Sequence, residues 1–109
     1  MCGIVGIRST ADVSFSLYYA LYALQHRGQE SAGIATFNGS DLCKHKDYGL
    51  VYEVFSEQTL KSLEGNVGVG HVRYPTTGEN LPENIQPFLF KFRGHVIAIA
   101  HNGNLVNYR

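Results

Sequence analysis

The sequence predicts an α+β fold: an antiparallel sheet with one long helix and one short one. Short runs rich in β-branched and aromatic residues recur along the chain, turn-forming steps separate them, and strands do not alternate with helices as βαβ units would. Gly3 to Arg8 opens as a strand because Ile4, Val5 and Ile7 are β-branched, which puts Cys2 at the edge of a sheet. Asp12 or Ser14 is positioned to cap a helix reaching about Gln25. Its Phe15, Tyr18, Tyr19, Leu21, Tyr22 and Leu24 spread too widely for a thin surface stripe, so much of its surface is expected to be covered. Gly28 breaks that helix. Ala32 to Phe37 is the next strand, and Asn38-Gly39 turns the chain into a return strand from Asp41 to His45.

Leu50 to Phe55 is predicted as a further strand and Glu57 to Glu64 as the short helix. Ser56 is its N-cap, Phe55 and Leu60 have the spacing of a hydrophobic staple, and Gly65 ends it. Val67 to Tyr74 is extended, with Gly68 and Gly70 on one face where a neighbour can approach the backbone closely. Pro75 to Pro87 holds all three prolines and little periodicity, the mark of a linker or a functional lid. Phe88 to Phe92 and His95 to His101 form a hairpin around Arg93-Gly94, and Asn102-Gly103-Asn104 makes a final turn.

With 109 residues, one domain at most is expected. Nine basic and nine acidic residues give a formal charge of zero, so no basic stripe points to nucleic acid or an acidic membrane surface. A hydrophobic content of 44% is too high for disorder. The two cysteines, Cys2 and Cys43, supply neither a disulfide framework nor a four-cysteine metal site. Without a long apolar run or a signal-peptide start, the chain reads as cytoplasmic and soluble, with no metal and no glycine-rich phosphate loop expected.

The chemistry-bearing residues begin with Cys2. Excision of Met1 would leave a thiol and a free α-amine on one residue, the amine taking the thiol's proton directly or through water. The other reading is a buried cysteine at a strand start. Asn102-Gly103, at the exit of an apolar strand, reads either as a type I′ turn or as an amide and a backbone N–H converging on an oxyanion, and both readings need the same local shape. Arg73 is either one more surface arginine or a planar fork for a substrate carboxylate at the mouth of a site. Thr76, Thr77 and Gly78 add hydroxyl and backbone donors to the loop that follows.

Four segments together resemble one family: Cys2-Gly3-Ile4-Val5-Gly6, Leu24 to Ile34 (LQHRGQESAGI), Gly70-His71-Val72-Arg73-Tyr74, and His101 to Asn107 (HNGNLVN). They are similar to the class II glutaminase domain of the glutamine phosphoribosylpyrophosphate amidotransferases, and in the same order. Glucosamine-6-phosphate synthases share the opening and the asparagine-glycine pair. They typically have tyrosine where His26 stands and tryptophan where Tyr74 stands, so the purine-synthesis family is the closer likeness.

The resemblance implies an N-terminal nucleophile hydrolase fold, two antiparallel sheets between helical layers. It implies that Cys2 attacks the side-chain amide of L-glutamine, that Asn102 and Gly103 stabilise the oxyanion, and that Arg73 grips the α-carboxylate. The segment from Tyr74 to about Pro82 would close over the site, Arg27 and Gly28 would form a supporting turn, and His71 would be a supporting or core residue. Glutamate and ammonia would form through a γ-glutamyl thioester, the ammonia passing to phosphoribosyl pyrophosphate in the full enzyme.

Residues 1–109 are accordingly expected to be about the first half of the glutaminase domain, short of the family's aspartate for the substrate α-amino group and of the phosphoribosyltransferase domain. The implied partners are those remaining portions and further copies in a homo-oligomer. No cofactor is implied for the glutaminase step, Mg2+ belongs to the phosphoribosyltransferase domain, and no cysteine cluster supports the iron–sulfur centre some members carry. Two other readings stay open: a non-catalytic half-domain that needs a second chain, and another N-terminal nucleophile amidase. The Arg73 fork favours a substrate with a free carboxylate.

Overall fold

The computed structural model describes residues 2–25, 29–74, 85–92 and 95–100. Its elements run β1 (Cys2–Arg8), α1 (Ser14–Leu24), β2 (Ser31–Phe37), β3 (Leu42–Tyr48), α2 (Val51–Val54), α3 (Glu57–Ser62), β4 (Val67–Arg73), β5 (Phe88–Phe92) and β6 (His95–Ile99). The first four strands form one sheet in the order β1-β4-β2-β3, every neighbouring pair antiparallel, and β5 and β6 form a second, two-stranded antiparallel sheet. This is the expected α+β class.

Strand burial follows position in the sheet. Central β2 is buried at six consecutive residues, Ser31 to Phe37 less the last, whereas edge strand β1 alternates half-buried and exposed from Gly3 to Arg8. The half-buried set, Gly3, Val5 and Ile7, pairs with Val72, Gly70 and Gly68 on β4, which pair in turn with Ala32, Ile34 and Thr36 on β2. That face receives α1. Leu17 and Leu21 are fully buried there and Val13 nearly so, a four-residue spacing that lines one side of a helix. Each buried leucine contributes about 1.5–3 kcal/mol.

The neighbour expected at Gly68 and Gly70 is therefore α1 itself. A Cβ on Gly68 would stand 2.7 Å from Leu17 Cδ1 and 2.9 Å from the Ala35 carbonyl oxygen, and one on Gly70 would stand 3.0 Å from Leu21 Cδ1. The opposite face carries Gly33, where the Gln86 carbonyl oxygen and the Pro87 ring lie in the space a side chain would fill. Lys46, beside Gly33 on β3, donates to the Ile85 and Pro87 carbonyls at 2.9 Å each. The larger sheet thus has a helix on one face and the entry to β5 on the other.

Four expectations are corrected. Leu50 to Phe55 is not a strand, because residues 51–54 form a single helical turn. Val51 and Val54 share its buried side while Tyr52 and Glu53 point outward. The Gln25 side-chain oxygen accepts from Val51 N at 2.7 Å, and Glu53 Oε1 accepts from Leu50 N at 2.8 Å. These hydrogen bonds, one of them to Gln25 far back in the chain, outweigh the β propensity of valine and tyrosine.

Secondly, neither Asp12 nor Ser14 caps α1, whose N-cap is Val13 with no side-chain bond. Asp12 Oδ1 instead accepts from Gly65 N at 3.0 Å and Ser14 Oγ donates to Leu60 O at 2.6 Å, so both tie the helix start to the α3–β4 corner. Thirdly, α1 is covered on a narrow side only, with Phe15, Tyr19 and Tyr22 exposed. Its aromatics pack laterally instead: Tyr18 meets Tyr19 at 5.3 Å and Phe55 at 6.3 Å, both edge-on. Fourthly, β3 runs on to Tyr48 rather than stopping at His45, since an edge strand accommodates Lys46 and Asp47.

Other expectations hold. Ser56 Oγ accepts from Thr59 N at 3.1 Å as the α3 cap, and Asn38 Oδ1 accepts from Ser40 N and Asp41 N in the β2–β3 turn. The Arg93-Gly94 and Asn102-Gly103-Asn104 turns lie outside the described residues, as does most of the Pro75–Pro87 loop.

Gly68→Ala is expected to lower the unfolding free energy by about 1–3 kcal/mol, because both atoms it meets belong to packed elements. Gly6→Ala, whose Cβ would meet only the Gly68 carbonyl at 3.9 Å, is expected to stay within about 0.5 kcal/mol. Urea titration followed by the fluorescence of the seven tyrosines, undisturbed by any tryptophan, measures both.

Candidate active site

The sheet register brings two of the sequence-predicted residues together. Cys2 stands opposite Arg73 across β1 and β4, and Arg73 stands opposite Ser31 across β4 and β2, so the three occupy one transverse row at the end of the sheet. Directly paired residues in an antiparallel sheet have Cβ atoms roughly 4.5–5.5 Å apart. Alternation along β4 sets Arg73 and His71 on the face away from α1.

Arg73 is not an ordinary surface arginine. Its side chain is only 10% exposed, and its Nε lies 3.3 Å from Glu30 Oε2, itself 16% exposed. The backbone N–H of Glu30 donates to the Arg73 carbonyl at 2.7 Å, and the Glu30 carbonyl accepts from Gly49 N at 2.9 Å. Beside it, buried Gln29 donates through Nε2 to the carbonyls of Ser31 and Gly49, both at 2.7 Å, and accepts from Val51 N through Oε1 at 3.2 Å. The Ser31 hydroxyl is buried and has no hydrogen-bond partner among the described residues.

Glu30 and Ser31 were not singled out as site residues in the sequence. The one local signal is the polar run Gln29-Glu30-Ser31 leading straight into an apolar strand. The Glu30–Arg73 pairing joins residues far apart in the chain and has no local signature.

His71 is wholly buried, paired with Ile4 and Gly33, which fits a core or supporting position. Tyr74 donates its phenolic O–H to the Leu24 carbonyl at 2.6 Å, satisfying a carbonyl in the last turn of α1 and fixing the chain just beyond Arg73. Asn102, Gly103, Thr76, Thr77, Gly78, Arg27 and Gly28 lie outside the described residues, and Cys2 is described by its backbone alone. Among the described residues no group of three or more His, Cys, Asp or Glu side chains could hold a metal ion, and no helix is long and apolar enough to cross a membrane. A separate cleft of about 400 Å³, lined by Phe15, Tyr18, Tyr19, Phe55, Glu57 and Leu60, belongs to the helical layer rather than to the Arg73 row.

The register thus sets a buried arginine in the same row as a strand-initial cysteine. The sequence profile of the class-II glutamine amidotransferases matches residues 1–109, and the chain belongs to that family. Within it, the chain is similar to amidophosphoribosyltransferases. It is 61% identical over 109 residues to the one from Methanothermobacter thermautotrophicus, covering 97% of this chain and 23% of that protein. It is 55% identical to the one from Methanocaldococcus jannaschii, covering 98% and 23%, and 53% identical to the one from Mycobacterium tuberculosis, covering 97% and 20%.

Two solved structures are also similar, each 44% identical and covering 98% of this chain and 23% of theirs. One, described as the allosteric regulatory enzyme of purine biosynthesis, has a TM-score of 0.85. The other, glutamine phosphoribosylpyrophosphate amidotransferase from B. subtilis complexed with ADP and GMP, has a TM-score of 0.82. The chain thus spans 20–23% of the length of these relatives. The expected N-terminal nucleophile hydrolase type of α+β fold is borne out.

Among the described residues, Lys46, which anchors the far end of the Pro75–Pro87 segment, is a group whose titration the structure shifts. Burial holds its ammonium below the ordinary 10.5, and neighbouring Lys44 adds to the effect. Between the folded-state value and 10.5 the unfolded chain binds more protons, so the stability this group contributes rises with pH through that window. Wild type is expected to gain stability relative to Lys46→Met as pH climbs toward 10.5, as measured by denaturant unfolding across the alkaline range.

Proposed function

We propose that residues 1–109 form part of a glutaminase domain that releases ammonia from L-glutamine through a thioester on Cys2. The observation that carries this reading is the pairing of Cys2 with buried Arg73 in a chain of the class-II family. Excision of Met1 exposes the Cys2 α-amine, which accepts the thiol proton as sulfur attacks the δ-carbonyl of glutamine. The resulting oxyanion is held by the Asn102 side-chain amide and the Gly103 N–H. The C–N bond breaks, the protonated amine returns its proton to the leaving nitrogen, and ammonia departs. Water then hydrolyses the γ-glutamyl thioester to glutamate and restores the thiol.

Arg73 binds the substrate α-carboxylate through its planar guanidinium. The loop carrying Thr76, Thr77 and Gly78 closes over the bound amino acid and shields the acyl-enzyme from premature water, while Arg27 and Gly28 support the cysteine end. In the whole protein, ammonia passes to phosphoribosyl pyrophosphate on a phosphoribosyltransferase domain. Similarity to amidophosphoribosyltransferases over 97–98% of this chain supports that acceptor, and a cytoplasmic setting and assembly with further copies are part of the same proposal.

The test is the intact mass of the polypeptide before and after 6-diazo-5-oxo-L-norleucine, a diazoketone analogue of glutamine. A single adduct on a chain lacking Met1, abolished by Cys2→Ala, is the expected result. Arg73→Ala is expected to slow labelling by roughly 10- to 100-fold, the value of a lost charge-assisted contact. Labelling that ignores both substitutions would overturn the reading.

A further inference from the structure

We propose that Gln25 and Gln29 are positioning residues for the nucleophile: by sharing one backbone amide, they brace the two ends of the His26-Arg27-Gly28 span against the start of α2 and hold them at the Cys2 end of the sheet. The inference rests on the glutaminase reading above and deepens it.

Contacts of the flanking residues place both ends there. Upstream, Leu24 packs on β1: a Cβ on Gly3, the residue after Cys2, would stand 3.1 Å from Leu24 Cδ1 and 3.2 Å from Leu24 Cβ. Downstream, Ser31 lies in the row of Cys2 and Arg73, and the Glu30 N–H donates to the Arg73 carbonyl. The chain between them thus starts against the residue next to Cys2 and finishes in the row that Cys2 opens.

A single donor fixes these ends. The Val51 N–H, at the first residue of α2, donates to Gln25 Oε1 at 2.7 Å and to Gln29 Oε1 at 3.2 Å. One proton divided between two acceptors ties the residues on either side of the span to the same point. Gln29 Nε2 donates both its protons, to the carbonyls of Ser31 and Gly49 at 2.7 Å each. Only one orientation of the amide satisfies all three partners, because the flipped group would set oxygen against two carbonyls. Gln29 is 6% exposed, so water offers no replacement for them. The anchor is itself held: Gly49 N donates to the Glu30 carbonyl at 2.9 Å, and Val51 is wholly buried.

This brace exceeds what α2 requires. The first amide of a helix needs one acceptor, and Gln25 supplies it at the shorter distance. The second glutamine therefore adds little to α2 and instead fixes residue 29 relative to residue 25. A short span between ends held in this way has few backbone conformations left to lose, which is what a supporting turn beside a nucleophile needs.

The experiment follows alkylation of Cys2 by peptide mass, so that Cys43 is read separately, in wild type, Gln25→Met, Gln29→Met and the double variant. Methionine keeps the length and approximate volume of glutamine without its hydrogen-bonding groups. Two reagents are compared: 6-diazo-5-oxo-L-norleucine, which needs the assembled site, and iodoacetamide, which needs only an accessible thiol. Urea titration establishes which variants are folded under the labelling conditions. Gln29→Met is expected to slow the diazoketone roughly 10- to 100-fold with the iodoacetamide rate unchanged. Gln25→Met is expected to act in the same direction but less, since the Gln25 N–H is also held by the Tyr22 carbonyl at 3.2 Å. Each single variant leaves the Val51 amide one acceptor and the double leaves it none, so the double is expected to slow labelling by more than the product of the two single effects.

Diazoketone rates that stay at the wild-type value in the folded single variants, or that fall in step with the iodoacetamide rates, overturn the positioning role while wild-type labelling leaves the glutaminase reading standing. If Gln29→Met does not fold, Gln25→Met decides between the same two results. A wild-type chain that reacts with iodoacetamide but not with the diazoketone overturns the glutaminase reading, and the role of the two glutamines falls with it.

Discussion

The contact on which the rest depends is the seating of α1 on a strand that carries glycine at two positions beneath it. Leu17 rests over Gly68, where a Cβ would stand 2.7 Å from its Cδ1, and Leu21 over Gly70, where a Cβ would stand 3.0 Å from its Cδ1. Side chains there would hold the helix off the sheet and leave Val13, Leu17 and Leu21 without the close-packed surroundings that make their burial favourable. With α1 committed to that face, alternation along β4 sends His71 and Arg73 to the other. The placement of the cationic fork is thus a consequence of where the glycines lie. Because β4 sits between β1 and β2, its last residue lands beside the first residue of each neighbouring register, Cys2 on one side and Ser31 on the other.

That end of the sheet is unusually polar for its burial. Gln29, Ser31 and Arg73 are all less than a tenth exposed, and Gln29 alone ties the start of β2 to the β3–α2 connection through three hydrogen bonds. A buried ion pair such as Glu30–Arg73 contributes little net stability compared with apolar residues of the same size, while removing one partner leaves a stranded charge that costs about 3–5 kcal/mol. Arrangements of this kind are retained where a charge has to be held in one place, and a strand end lined by a glutamine, a glutamate, a serine and an arginine fits that description.

The strand framework was legible because its signals are local. β-Branched runs located β1, β2 and β4, and the spacing of Gly68 and Gly70 announced a close neighbour before the neighbour was known to be α1. Errors arose where distant groups decide. Val51, Tyr52 and Val54 have strand propensity, but Gln25, Gln29 and Glu53 supply hydrogen bonds that close a helical turn. Asp12 and Ser14 have capping chemistry, yet their partners are Gly65 and Leu60, some fifty residues away. The site divides in the same way. Arg73 could be picked out from its place before a proline-rich loop, whereas Glu30 acquires its meaning only once β2 lies against β4.

The same anchoring limits what the proposed loop closure can involve. At one end, the Tyr74 hydroxyl is bonded to the Leu24 carbonyl at 2.6 Å, and the preceding residue is held in the β4 register. At the other, Ile85, Gln86 and Pro87 are buried against Gly33, with two of their carbonyls bound by Lys46. Moving either end would break hydrogen bonds in a buried setting and open contacts that a backbone without a side chain makes unusually close.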